Sequence, residues 1–196
     1  MEILFEDRDI LVCIKPVGLD SEHELPEALG GNVLTVHRLD KNVGGVMVYA
    51  KNKETAARLS KQIQKGEMIK EYVALVEGTP PQDGVFEDLL FKDSRKNKVF
   101  VVDRQRAGVK AAKLSYNRLT EGDQSLVRVR LYTGRSHQIR VQFASRGFPL
   151  VGDKKYGARG NEKEIRLFSC SITFEHLGKI CTYSAFPEWG SVENQL

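Results

Sequence analysis

Three short segments of the sequence combine residue types that could do chemistry. HRLD at 37–40 places a histidine, an arginine and a carboxylate directly after the apolar run VLTV, while Tyr72 lies in KEYVALVEG and Arg135 in TGRSHQIR. A carboxylate such as Asp40 can act as a nucleophile or a base. A phenol can pack against an aromatic ring, and a guanidinium can form paired hydrogen bonds with a carboxylate or a phosphate. Together these residues would suit a site for an anionic substrate.

Each of these residues also has an ordinary structural explanation when it is taken alone. Asp40 precedes Lys-Asn-Val-Gly-Gly, which is typical of a turn. Tyr72 suits core packing with its hydroxyl at an edge. Arg135 suits a surface charge, and His137 suits a local hydrogen bond near the start of a helix. No single residue therefore decides between a chemical and a structural role.

Hydrophobic periodicity predicts the elements that would position these segments. Helices are predicted at 52–66, with Ala56, Leu59 and Ile63 on one face, and at 136–147. Their predicted first and last residues are Asn52 with Gly66, and Ser136 with Gly147. The loop 17–32 is expected to hold a short helical turn.

β-branched and alternating segments predict the strands. These lie at 3–5, 10–16, 33–36, 44–51, 68–78 and 98–103, and in two hairpins, 113–119 with 125–132 and 165–176 with 179–186. Short reversals favour antiparallel pairs. The pattern predicts an α+β fold, a mixed and largely antiparallel β-sheet with flanking helices, in one domain over residues 1–196.

Positive charge is concentrated in one part of the chain. Residues 92–159 hold 17 Lys and Arg against 5 Asp and Glu, whereas residues 1–91 hold 10 against 16. Segregated positive charge favours a polyanionic partner, although a solvated basic face would have the same composition. Because these residues lie in predicted strands and loops, they favour a folded binding face over a disordered arm.

The sequence lacks the motifs that mark several classes of protein. No apolar run reaches the ~18 residues of a membrane span, and the acidic N-terminus does not resemble a signal peptide. The four histidines have no paired metal-ligand spacing, and no GxxxxGK loop occurs. Cys13, Cys170 and Cys181 have no CxxC spacing and suit reduced packing residues. We therefore expect a cytoplasmic protein without a metal, a cofactor or a membrane.

The three segments occur together, and in order, with two further motifs. GxPLVGDxxYG follows TGRSHQIR, and ILFEDRDILVCIKPVGL opens the chain. This combination, over about residues 2–187, resembles the RluA-type RNA pseudouridine synthases. The resemblance implies the pseudouridine synthase catalytic fold and the isomerisation of a uridine in ribosomal or transfer RNA without a cofactor. The chain departs from the family where Val43-Gly44-Gly45 replaces the usual Thr-Ser-Gly, and no S4-type domain is expected before residue 1.

The same resemblance implies roles for individual residues. Asp40 would be the nucleophile or base, ionised in a dry pocket with the help of a buried Arg135. Tyr72 would stack on the uracil, hold it after bond cleavage or help to remove its C5 proton. Arg38, helped by His37, would fill the gap left by the flipped uridine. Leu167 would lie under the base. Candidate phosphate contacts are Lys92, Arg95, Lys96, Lys98, Arg104, Arg106, Lys154 and Lys155.

Two other functions remain open at this point. A non-catalytic RNA-binding module of the same fold would be expected to lose Asp40 or Arg135, and both residues are present. A glycoside or nucleoside hydrolase needs two carboxylates beside the bond, and the motif segments offer no second one. We expect a monomer that acts on a stem-loop of RNA.

Overall fold

The computed structural model describes residues 2–187 and residue 189. The chain divides into two compact units. The first contains Met1–Glu71 and Phe168–Leu196, and the second contains Tyr72–Leu167. Each unit has its own β-strands and its own helix packed on them, so the predicted mixed and largely antiparallel architecture with few helices is confirmed.

Six strands and two helices form the first unit. They are β1 (Ile3–Glu6), β2 (Ile10–Lys15), α1 (Glu24–Ala28), β3 (Leu34–Thr35), β4 (Gly44–Ala50), α2 (Lys53–Lys65), β10 (Leu167–His176) and β11 (Lys179–Ser184). The strand order is β1-β2-β4-β10, with β11 beside β10 and β3 beside β4. Only the β4–β10 pair is parallel among the pairs described in this unit.

Helix α2 forms where the sequence predicts it. The Asn52 side chain accepts a hydrogen bond from the Thr55 amide at 2.9 Å, and Gly66 ends the helix in the left-handed conformation. Leu59 is buried against β2, β4 and β10 residues, with Ala56 and Ile63 packed beside it. The predicted caps and the predicted apolar face of this helix are confirmed.

Strand β4 is buried along its whole length. Val46 and Val48 join the cluster under α2. On the opposite face, the Tyr49 hydroxyl donates a hydrogen bond of 2.8 Å to the carbonyl of Ser21, which lies in the loop 17–32. That loop therefore lies against β4 and can hold the HRLD segment that precedes the strand.

Gly45 is the tightest point of β4. Its φ is +127°, and a Cβ placed there would lie 2.3 Å from the carbonyl oxygen of Ser169 on β10. Only glycine allows both this backbone conformation and this approach of two strands. The position at the end of the Val43-Gly44-Gly45 segment thus has a purely steric requirement.

The second unit is built on five strands and one short helix. They are β5 (Ile69–Glu77), which begins at the end of the first unit, β6 (Asp83–Asp93), β7 (Lys98–Val102), β8 (Val109–Arg118), β9 (Gln124–Leu131) and α3 (Gln138–Ala144). The order is β5-β9-β8-β6-β7, and a 3-10 turn follows at Lys154–Tyr156. Phe143 of α3 packs on Phe86 and Tyr116 with ring centroids 5.0 and 5.1 Å apart.

Two features of this unit differ from expectation. Strand β6 was not predicted, because Asp88 interrupts the apolar positions of its inner face. The structure pairs that carboxylate with Gln142 at 2.7 Å and Arg146 at 2.9 Å. Helix α3 is shorter than 136–147, and its N-cap is His137 at φ +51° instead of Ser136. Separately, none of the helices in residues 2–187 is long and apolar enough to cross a membrane.

We expect Gly45→Ala to lower the free energy of unfolding by about 2–4 kcal/mol, because the new methyl group meets the β10 backbone at an unfavourable φ. Urea denaturation would measure the loss. Gly147→Ala is the matched control, since Gly147 has φ +85° but a methyl group there would have no atom within 4 Å. Equal losses in the two variants would contradict the steric argument.

Candidate active site

The HRLD segment is a loop between two strands of the first unit. Strand β3 ends at Thr35 and β4 begins at Gly44, so residues 36–43 lie outside regular structure. Arg38 is exposed, Leu39 is buried, and Asp40 is half-buried.

Ser21 anchors the middle of this loop. Its hydroxyl donates to the carbonyl of Leu39 at 2.8 Å and accepts from the amide of Leu39 at 3.2 Å. Ser21 is only 1% exposed. A buried hydroxyl with both partners satisfied holds a loop without regular structure in one conformation.

Lys15 anchors the end of the loop. The side chain is fully buried at the end of β2, and Nζ donates to the carbonyls of Pro16, Lys41 and Val43 at 2.9, 3.2 and 2.8 Å. Lys41 and Val43 lie in the turn that Asp40 begins, where the Val43 amide donates to the Asp40 carbonyl at 2.9 Å. The ammonium group uses its three donors on three carbonyls and so fixes the backbone on which Asp40 stands.

Burial and nearby carboxylates act on Lys15 in opposite directions. Burial lowers the pKa of Lys15 to about 8, although the charges of Asp20, Asp40 and Glu24 partly offset this. The Asp40 carboxylate is therefore close enough to stabilise the buried ammonium. Lys15 therefore brings a positive charge to the loop that carries the predicted nucleophile.

The His37 side chain forms a hydrogen bond with the backbone of β4. Its Nε2 accepts a hydrogen bond of 3.2 Å from the Val48 amide, so the imidazole carries its proton on Nδ1. Nδ1 is buried and has no hydrogen-bond partner among the residues that the structure describes. Burial, with a smaller effect from the charge of Lys70, lowers the pKa of His37 to about 3. His37 is therefore neutral at physiological pH, and its contact with substrate stays a prediction.

Arg38 points into solvent and pairs with Glu22, with Nη1 and Oε2 2.8 Å apart. The two side chains are 52% and 43% exposed. An exposed pair of this kind contributes roughly 0–1 kcal/mol. Arg38 can therefore leave Glu22 for another partner at little cost.

The remaining predicted site residues belong to the second unit. Tyr72 lies on β5 and is 6% exposed, while Leu167 opens β10 and is 5% exposed. Arg135 precedes α3 and is exposed, with Nε donating to the Ala111 carbonyl of β8 at 2.9 Å. The sequence motifs imply a buried Arg135, so the exposed side chain differs from that expectation.

Gln138 holds the backbone at Arg135. It is 3% exposed, and its Oε1 accepts from the Arg135 amide at 3.0 Å and from the Thr133 hydroxyl at 2.8 Å. Its Nε2 donates to the carbonyl of Lys113 on β8 at 3.1 Å. One buried amide thus links the β9–α3 connection to the neighbouring strand. His137, at the start of α3, lies with Nδ1 2.8 Å from the Tyr156 hydroxyl.

The candidate phosphate contacts are nearly all exposed. Those around the β6–β7 turn and the loop after β7 are Lys92, Arg95, Lys96, Arg104 and Arg106, and those of the 3-10 turn are Lys154 and Lys155. Lys98 is half-buried, with Nζ 5.3 Å from the Tyr156 ring centroid. Their exposure is compatible with phosphate binding and equally with a solvated surface.

Sequence reasoning missed Lys15, Ser21 and Gln138. A lysine at the end of the apolar run ILVCIKP was the only available signal for Lys15. Ser21 lies in a loop and Gln138 is a polar residue near the start of a predicted helix, so in both cases the burial depends on the fold. In residues 2–187 and 189, no group of three or more His, Cys, Asp or Glu side chains is placed to hold a metal ion.

Known proteins resemble this chain in sequence and in fold. The sequence model of the RNA pseudouridylate synthase family matches residues 9–145. The tRNA pseudouridine(31) synthase of Saccharomyces cerevisiae is 29% identical over 98% of this chain and 51% of its own length. The ribosomal large subunit pseudouridine synthase D of Pseudomonas aeruginosa is 35% identical over 81% of this chain and 54% of its own length. The chain thus spans about half the length of these curated relatives.

A solved structure has the same fold. Human RNA pseudouridylate synthase domain containing 1 superimposes with a TM-score of 0.83 at 21% identity, over 95% of this chain and 83% of that chain. At this level of identity the match concerns the fold, which is the one predicted from the sequence motifs.

We expect Lys15→Met to lower the free energy of unfolding by roughly 1–3 kcal/mol, because buried carbonyls lose their donor. Urea denaturation would measure it. Lys41→Met is the matched control: Lys41 is 55% exposed and pairs with Glu24 at 2.8 Å. Lys41→Met should lower the free energy of unfolding by no more than about 1 kcal/mol. Similar losses for both would refute the anchoring role of Lys15.

The lowered pKa of His37 predicts that the folded protein loses stability in acid. The unfolded chain binds a proton at His37 below pH ~6.5, whereas the folded protein does so only near pH 3. Stability is therefore lost as the pH falls through this window. Urea denaturation should show a shallower loss for His37→Asn than for the wild type. His23→Asn, at an exposed histidine, should match the wild type, and parallel curves for all three proteins would contradict the assignment.

Proposed function

The chain belongs to the RNA pseudouridylate synthase family, and we propose that it isomerises uridine to pseudouridine within structured RNA. The proposed substrate is ribosomal or transfer RNA, the two classes named for its relatives. The observation that carries the proposal is the arrangement at residue 40: a family motif whose carboxylate stands on a loop held by Ser21 and Lys15. A preorganised carboxylate is what a nucleophile or base requires.

The reaction needs no atoms beyond those of the substrate and water. The bond between N1 of uracil and C1′ of ribose breaks, the base rotates, and a bond forms between C5 and C1′. The C5 proton leaves to solvent, and N1, which carries no proton while it is bonded to C1′, takes one up from solvent, so the atoms balance. Asp40 would act by attacking C1′, by adding to C6 of the base, or by removing a sugar proton. Each route uses one carboxylate in its ionised form.

Lys15 holds the loop that carries Asp40. Its buried ammonium donates to the carbonyls of Lys41 and Val43, which follow Asp40 in the chain. Lys15 touches the loop backbone and is thus a positioning residue in this proposal.

A uridine within folded RNA must leave its stack to reach Asp40. Arg38 is exposed on the same loop, two residues from Asp40, and only a weak surface pair with Glu22 holds it. It can therefore exchange Glu22 for RNA and occupy the gap left by the base. The Val43-Gly44-Gly45 segment leaves no side chain at residues 44 and 45, so substrate contacts from those positions would come from the backbone.

Tyr72 and Arg135 complete the proposed set. Tyr72 would hold the uracil after bond cleavage or accept its C5 proton. Arg135 would contact a phosphate of the RNA, and bound RNA would cover its exposed guanidinium. A monomer in the cytoplasm, working as one catalytic domain without a metal or cofactor, is part of the same proposal.

Release of tritium from uridine labelled at C5 tests this function directly. Unmodified ribosomal and transfer RNA transcripts carrying the label should lose tritium to water without shortening and without freeing uracil. Asp40→Asn should lower the rate by roughly 100-fold or more, because its amide is neither nucleophile nor base, while RNA binding persists. Asp103→Asn, at an exposed aspartate, is the matched control and should retain the rate.

The tritium assay also distinguishes this function from the two alternatives. Free uracil would indicate a hydrolase, and binding without release from any transcript would indicate a non-catalytic RNA-binding module. Full turnover by Asp40→Asn would remove Asp40 from its role.

A further inference from the structure

The sheet of the second unit has two very different faces. Phe86, Tyr116 and Phe143 pack together on the face that α3 covers. On the opposite face Val85 is 58% exposed and Tyr132 is 47% exposed. Strand register places the side chains of this second face in rows that run across β6, β8 and β9.

Three rows define what we term the Tyr132 face. Val85, Ser115 and Arg130 are paired in register. Glu87 is paired with Lys113, whose carbonyl accepts from the Tyr132 amide at 3.1 Å. Leu89 is paired with Ala111, whose carbonyl holds the Arg135 guanidinium. The face consists of Val85, Glu87, Leu89, Ala111, Lys113, Ser115, Arg130, Tyr132 and Arg135.

Tyr132 is held in place and still presents a large part of its ring to solvent. Its hydroxyl lies 3.3 Å from the Ser115 hydroxyl. The Arg130 guanidinium carbon and Lys113 Nζ lie 5.4 and 5.7 Å from the ring centroid. Both distances are within the range of cation–π attraction. A ring fixed by three neighbours loses little conformational entropy when another flat ring stacks on it.

The charges of this face favour an anion. Lys113 is neutralised by Glu87, whose Oε1 lies 2.6 Å from Nζ. Arg130 and Arg135 are exposed and remain as cations on either side of the Tyr132 row. A nucleotide combines an aromatic ring with a phosphate, so it matches an aromatic side chain flanked by two guanidinium groups.

We propose that the Tyr132 face binds a single-stranded segment of RNA, with one base stacked on Tyr132 and the adjacent phosphates at Arg130 and Arg135. This rests on the proposed function in that RNA is the substrate. Ala111 and Lys113 are two residues apart on one strand, roughly 7 Å, which is about two rises of a stacked nucleic-acid strand. The base on Tyr132 therefore belongs to a nucleotide close to the one at Arg135, and the stack fixes where the RNA lies relative to Arg135.

Binding of a fluorescent oligouridylate of about 12 nucleotides tests the stack. Tyr132→Ala should weaken binding roughly 5- to 150-fold, the range for loss of one stacked base. Tyr132→Phe should bind like the wild type, because the ring is retained. Ile180→Ala, at an apolar residue of β11 that is 74% exposed, is the matched control and should have no effect.

A second probe separates stacking from general damage. In a fully abasic oligonucleotide of the same length, Tyr132→Ala should cause no loss, because no base is available to stack. Equal loss on both probes, or no loss on either, would overturn the proposal. Thermal unfolding of each variant shows whether the fold is intact.

The salt dependence of binding tests the proposed phosphate contact of Arg130. Arg130→Gln should reduce the slope of log affinity against log salt by about one. Lys179→Gln, at an exposed lysine of β11, should leave the slope unchanged. Equal slopes for the two variants would overturn the role of Arg130.

The tritium-release and RNA-binding assays together distinguish failure of the Tyr132 stack from failure of the proposed function. If no transcript releases tritium but Tyr132→Ala selectively weakens base-containing RNA, the stack stands and the enzyme assignment fails. If tritium release is normal and Tyr132→Ala binds both probes like the wild type, only the stack fails. Self-association of the wild type that Tyr132→Ala abolishes in sedimentation would indicate that a second copy covers this face, and would also overturn it.

Discussion

The buried ammonium of Lys15 is the interaction on which the candidate site depends. It has no exposure to solvent and donates to three carbonyls, two of which, those of Lys41 and Val43, follow Asp40 in the chain. A lysine is seldom buried unless its charge is compensated, and here carbonyl dipoles and nearby carboxylates share that task. The same group therefore shapes the loop and sets the charge around the residue that the loop presents.

Buried polar side chains perform a similar task at the HRLD and TGRSHQIR segments. Ser21 binds both polar backbone groups of Leu39, and Gln138 joins the residues before α3 to β8. Loops cannot satisfy their own backbone groups, and an unsatisfied buried group is costly. A side chain that fits these groups therefore stabilises one loop conformation and excludes others. Buried side chains therefore hold the backbone at Asp40 and Arg135, whereas the side chains of Arg38 and Arg130 are exposed.

The limits of sequence reasoning follow the same division between local and distant interactions. Helix α2 was predicted with its cap and its apolar face, because Asn52, Leu59 and Gly66 act within one or two helical turns. Strand β6 was missed, because Asp88 on its inner face is explained only by Gln142 and Arg146, more than 50 positions later. Ser136 is expected to cap α3, but the structure places His137 at the N-cap in the left-handed conformation, with Nδ1 2.8 Å from the distant Tyr156 hydroxyl.

The sequence alone determined the family, the class of fold and the candidate residues Asp40, Tyr72 and Arg135, because motifs record which side chains are present and in what order. The tertiary structure decided which side chains support them. Lys15 meets residues 41 and 43 across the sheet, and Tyr132 meets Lys113 and Ser115 through strand register. Register and burial join residues that are far apart in the chain, and no local pattern encodes that pairing.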